Sequence, residues 1–154
     1  MSDTVWLSPW EQVDWQAFVR MQELLRSRLE QGLVSRSGLS NADYTVLAVL
    51  SEAPERRMRP LDLSRTLGWE KSRLHHQLTR MRGRGLVERR PVPDSGNGRA
   101  VQIVLTRDGL AAIAAAAPEH VRDVRLLALD ALTDEQLAQL GEISRAIIAR
   151  LITD

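Results

Sequence analysis

The 154-residue sequence has no cysteine. Disulfides, thiolate metal sites and cysteine-based redox sensing are therefore excluded within the chain. It has no run of about eighteen or more apolar residues, so no membrane-spanning helix is expected. The opening residues, MSDTVWLSPWEQVDW, lack a basic start followed by an apolar run. No secretory signal is expected from them, and the cytoplasm is the expected compartment. Repeats and low-complexity tails are missing as well. So are a nucleophile with a neighbouring base, a phosphate-binding glycine loop and a metal-ligand spacing, so neither an enzyme nor a cofactor is expected.

What is present is an uneven distribution of charge. The formal net charge is only +1. Residues 1–55 carry four basic and eight acidic side chains, residues 56–107 thirteen and four, and residues 108–154 four and eight. A basic middle between two acidic ends implies separate surfaces, and a dense positive patch implies a polyanion, most often nucleic acid. With 44% hydrophobic residues the chain is long enough for one domain with a real core.

Residues 10–32 show apolar positions at helical spacing, and Gly32 is expected to stop that helix. Ser40 with Asp43 reads as a cap for a short apolar helix ended by Pro54. ERRMR reads as a polar loop, and Pro60 suits the first position of a helix over LDLSRTLG. A further short helix follows over about 70–83 and ends at GRG. LVERRPV and AVQIVLT are β-rich runs joined by the turn formers PDSGNG, which is a hairpin. Thr106 reads as the cap of a long alanine-rich helix that Pro118 should kink or break. A Thr133/Gln136 capping box opens a last amphipathic helix.

Helix, tight turn, helix and hairpin make a winged helix-turn-helix, a mainly α fold with a small β-hairpin wing. In EKSRLHHQLTRM, Leu74, Leu78 and Met81 fall on one stripe, whereas Lys71, Ser72, Arg73, His75, His76 and Arg80 fall elsewhere. The first turns of such a helix usually reach base edges, which favours Lys71, Ser72, Arg73, His75 and His76. Arg73 suits a bidentate contact with guanine. Arg82 and Arg84, further along, suit phosphates. His75 and His76 are adjacent, so they point about 100° apart on a helix and do not share a metal; the only other histidine is His120. Trp69 reads as a core residue or packing wedge rather than a ligand sensor.

LDLSRTLGWEKSRLHHQLTRMRGRGLVERR followed by NGRAVQIVLTRDG resembles the MarR/SlyA family of bacterial transcription regulators, and the helix order extends the resemblance over nearly the whole chain. The resemblance implies that Lys71, Ser72, Arg73, His75 and His76 occupy the outward positions of the recognition helix. It also implies that Arg99 is the wing arginine that enters the minor groove, where negative potential is enhanced. Asn97 stands where the family usually has the aspartate that braces this arginine, with Asp94 as the substitute further away. Glu70 stands at the usual serine cap.

The expected organisation is an N-terminal dimerisation helix (1–36), a DNA-binding lobe (37–107) and C-terminal dimerisation helices (108–154). The resemblance implies a homodimer with intertwined terminal helices, and apolar runs such as AIIARLI and WQAFVRM agree. A two-fold dimer sets its recognition helices about 34–36 Å apart on a pseudo-palindrome of double-stranded DNA. The family also implies a small aromatic or anionic effector in a crevice, with Trp10, Trp15 and Tyr44 as candidate lining. The expected function is a sequence-specific DNA-binding regulator, a repressor. The alternative is a winged-helix module that binds another protein.

Overall fold

A computed structural model of the chain describes residues 6–92 and 100–152. The chain divides into two compact units, Glu30–Glu119 and Met1–Leu29 with His120–Asp154. Among the described residues no helix is long and apolar enough to cross a membrane.

The first unit holds the core. Helix α1 (Pro9–Ser37) enters it at its C-terminal end, where Leu33 is buried. Gly32 does not stop this helix, contrary to expectation. A glycine inside a helix costs about 1 kcal/mol relative to alanine, and burial of the adjacent Leu33 offsets a cost of that size. The stop comes at Gly38, whose φ of +67° is the left-handed conformation that lets the chain leave a helix. Helix α2 (Asn41–Glu52) carries the expected capping box. The Asp43 amide donates to Ser40 Oγ (3.0 Å) and the Ser40 amide donates to Asp43 Oδ2 (2.9 Å).

Pro54 closes α2, as the sequence indicates, and starts a single tight turn. The ERRMR segment is not all loop. Arg57–Met58 forms a strand, β1, that pairs antiparallel with β3 (Val101–Leu105). With β2 (Val87–Pro91) the sheet has the order β1-β3-β2, so the hairpin is the larger part of a three-stranded sheet. Helix α3 (Pro60–Leu67) begins at its proline and ends at Gly68 in the left-handed region. Helix α4 (Lys71–Gly83) follows after a three-residue turn, Gly68 to Glu70. Val46, Leu47 and Leu50 of α2, Leu63 of α3, Leu74, Leu78 and Met81 of α4, and Ile103 of β3 make one buried cluster.

Helix α5 (Arg107–Leu127) runs without a break through Pro118, which was expected to kink or end it. Proline removes one amide donor and crowds the carbonyl one turn back, and an exposed site on a long helix tolerates this at a cost. Thr106 caps α5 by accepting from the Gly109 amide (2.9 Å). The same hydroxyl donates to Gly85 O (2.6 Å), tying the start of α5 to the entry of the wing. A Cβ on residue 109 would lie 2.1 Å from Leu86 O, so only glycine allows this approach.

The second unit consists of the remainder of α1 and α5, and α6 (Asp134–Leu151), which opens with the expected Thr133/Gln136 capping box. None of its described residues is buried. Trp10 (69% exposed), Val13, Trp15, Leu126, Ile143, Ile148 and Leu151 all stand in solvent.

Candidate nucleic-acid interface

Helix α4 has two faces that follow from its spacing. Leu74, Gln77, Leu78 and Met81 are buried, at intervals of three and four residues. Lys71, Ser72, Arg73, His75, His76 and Arg80 are all exposed. Every residue that the sequence assigns to the outward face therefore lies there, and the first two turns concentrate Lys71, Ser72, Arg73, His75 and His76. The imidazoles of His75 and His76 sit edge to face, 5.9 Å apart. Among the described residues no group of three or more histidine or acidic side chains converges to hold a metal ion.

The amides at the start of α4 receive no side-chain cap, because Glu70 occupies the cap position without bonding to them. Unsatisfied amides at a helix N-terminus carry partial positive charge and suit an anion such as phosphate. The turn leading in is firmly held. The Trp69 amide donates to Ser64 O (3.0 Å), and buried Ser64 donates its hydroxyl to Trp69 O (2.8 Å). Trp69 packs half-buried against the core, as the sequence reading has it. Its indole also carries the Arg73 guanidinium, with Cζ 4.2 Å from the ring centroid.

The other end of α4 is anchored by a polar network that sequence reasoning missed. Asp43 is buried at the start of α2. It accepts from Gln77 Nε2 (2.7 Å) on Oδ1, and from Arg84 Nη1 (2.7 Å) on Oδ2. Arg84 also donates to Gly38 O (3.0 Å), at the end of α1. Arg80 donates to Gln77 Oε1 (2.5 Å). Arg84 thus serves the inside of the unit, not a phosphate as its position in the sequence suggested. The available signal was a glutamine on an otherwise apolar stripe, 34 residues after a capping aspartate.

Below α4 lies a cavity of about 420 Å³. Leu61, Leu74, Leu78 and Ile103 give it an apolar floor, and Lys71, His75 and Arg89 bring cationic or hydrogen-bonding groups to it. Trp10, Trp15 and Tyr44 do not line it. Trp10 and Trp15 are exposed on α1, where Trp15 meets Phe18 at 5.5 Å between ring centroids. Tyr44 packs against the core of the other unit. Burial pushes its phenol pKa above the usual value, and the Glu52 charge adds to the rise. On the wing, Arg89 pairs with Ile103 and Arg90 with Gln102 across the β2–β3 ladder. Arg90 forms an ion pair with Glu88 (2.6 Å). Asp94, Asn97 and Arg99, and with them the expected minor-groove contact, lie outside the described residues.

Residues 37–100 match a family model described as the MarR family. No curated protein matches the chain in a sequence search. Among solved structures the chain is similar to AbsC, a MarR family transcriptional regulator from Streptomyces coelicolor. The TM-score is 0.91 and the identity 36%, over 98% of this chain and 100% of that one. A second MarR family regulator from the same organism, crystallised in complex with DNA, gives a TM-score of 0.90 at 34% identity, over 95% of this chain and 94% of that one. A mutant of MarR from E. coli, complexed with operator DNA, shares the fold at a TM-score of 0.76 and 23% identity, over 86% of this chain and 91% of that one.

Proposed function

The chain belongs to the MarR family of transcriptional regulators, and on that premise we propose that it represses transcription as a homodimer seated on a pseudo-palindromic operator. It is a DNA-binding regulator and not an enzyme. The observation that carries the site reading is the outward face of α4, where six donor or cationic side chains are exposed above a buried apolar stripe. In this reading Lys71, Ser72, Arg73, His75, His76 and Arg80 meet the major groove. Arg73 takes a guanine edge, where its planar fork matches two acceptors. Arg99 enters the neighbouring minor groove. The work is done in the cytoplasm, on double-stranded DNA.

The dimer reading is supported by the second unit, whose exposed leucines, isoleucines and tryptophans bury nothing among its own described residues. A patch of that kind marks a protein interface, and residues 1–36 and 108–154 are the segments that would supply it. Residues 37–107 would form the DNA-binding lobe. Release by a small aromatic or anionic effector completes the proposal; Trp10, Trp15 and Tyr44, expected as its aromatic lining, do not line the cavity below α4 and do not carry it. The cavity below α4, with its apolar floor and the cations Lys71 and Arg89, supports an amphipathic anion as the chemical class.

The test is a binding titration of the full chain against duplex fragments from its own upstream region, over a range of salt, with the solution mass measured in parallel. A dimer with steeply salt-dependent binding to a palindromic fragment is expected. Arg73→Ala should cost about 1–3 kcal/mol on the cognate site and relax base preference there. Arg99→Ala should weaken binding with a smaller change in preference. A monomer, or a dimer indifferent to DNA, would instead support a protein-interaction module.

A further inference from the structure

The role of Trp69 is not exhausted by packing. It is the last residue before the cap of α4, and Arg73 is one helical turn further on, so the two side chains share a face. The Trp69 backbone is held on both sides by Ser64, through its amide and its carbonyl. The indole is half-buried against the core. The ring is therefore a fixed platform at the end of the helix that faces the DNA in the proposed docking. Arg73, by contrast, is exposed, and a free arginine side chain samples many rotamers. Its guanidinium sits over that ring at 4.2 Å. Among the described residues Arg73 forms no ion pair.

We infer that Trp69 is a specificity-positioning residue, whose indole holds the Arg73 guanidinium in place for base recognition. The inference rests on Arg73 reading a base, as proposed above. The chemistry suits the task. An aromatic face attracts a guanidinium through its quadrupole. An indole has no conventional acceptor, so it takes none of the five N–H donors that a base edge needs. An acidic partner in the same place would occupy two of those donors and cancel the charge. Holding the cation on a ring reduces the disorder that DNA binding has to remove, while the donors stay available.

Full-length wild type, Arg73→Ala, Trp69→Leu, Trp69→Phe and the Trp69→Leu/Arg73→Ala double variant would be profiled on a randomised duplex library. Thermal midpoints and the salt dependence of binding would be recorded beside the profiles. Arg73→Ala is expected to flatten preference at one base position of each half-site. Trp69→Leu is expected to flatten the same position and weaken cognate binding about two- to fivefold, with the salt slope unchanged. It should add nothing in the Arg73→Ala background. Trp69→Phe keeps an aromatic face and should retain most of the preference.

If Trp69→Leu leaves that position intact while Arg73→Ala erases it, the inference fails and the reading of Arg73 stands. If Arg73→Ala leaves the whole profile unchanged, both fail. A loss spread over all positions, equal with and without Arg73, would also overturn the inference, because it would make Trp69 a support of the fold alone.

Discussion

Asp43 shows how one buried carboxylate decides the roles of several other side chains. It accepts from the Ser40 amide, from Gln77 and from Arg84, so its charge is met on both oxygens. The Arg84 side chain is 45% exposed and that of Asp43 only 5%, so the two partners are not equal. Loss of Arg84 leaves a buried carboxylate short of one donor, at a cost of about 1–3 kcal/mol. Loss of Asp43 strands Gln77 and an arginine that can still turn to water. Arg84→Gln is therefore expected to lower the urea midpoint while leaving the salt slope of DNA binding unchanged. A phosphate-contacting arginine would instead reduce that slope by about one. Tyr44 offers a second test, because it is the only tyrosine in the chain. Its phenol is held neutral by burial and by the Glu52 charge, so its folded pKa is raised. The corresponding stability is fully present below the unfolded value and is lost as pH rises through the folded value. Phenolate absorbance should thus appear later on alkaline titration of the folded chain than in urea, and stability should fall across that interval.

At the scale of elements, periodicity located the helices and tertiary packing set their ends. The spacing of Leu74, Leu78 and Met81 was enough to separate the two faces of α4, because a helix repeats every 3.6 residues. The end of α1 was not legible in the same way. Gly32 looked like the stop, but Leu33 just beyond it joins the buried core cluster, which exists only once the unit has folded. β1 is two residues long, too short to carry a periodic pattern, and only the free edge of β3 makes it a strand. Pro118 is the element-scale test. It is exposed within α5 and removes one backbone bond without a packing role in the buried core. Pro118→Ala should restore that bond and stabilise the folded chain by up to about 3 kcal/mol. The check is a thermal midpoint measured at one fixed chain concentration, since association shifts that midpoint by mass action.

At the scale of the whole molecule, the two units differ in kind. One has a closed core, a basic helix and a small sheet; the other exposes its apolar residues among its own described elements. In the proposed dimer the second unit gains its core from a second copy. Ile143→Glu combined with Ile148→Glu would place charges on that surface. The expected result is a monomer by sedimentation at micromolar concentration. Affinity for a palindromic site should fall roughly 10²–10⁴-fold, the usual loss when two linked contacts become independent. Secondary structure of the Glu30–Glu119 unit should persist, because its buried cluster contains neither residue.

By itself the sequence determined the order of the helices, both capping boxes, the outward face of α4 and the wing hairpin. Each of these depends on residues within about one or two turns of each other, or on a turn between neighbouring strands. The glycine at 109 was part of a recognisable motif, but the reason for it, a carbonyl of Leu86 within contact distance, belongs to the packing of α5 on the wing entry. The tertiary structure alone decided that Arg84 faces Asp43 across 41 residues, that Gln77 is buried, that β1 pairs with β3 and that Arg73 lies on Trp69. Three of these are contacts between segments far apart in the chain. The fourth is local, but it needed the core to hold the indole still. Spacing along a sequence reports which face a residue occupies; which group meets it there is decided when the elements pack.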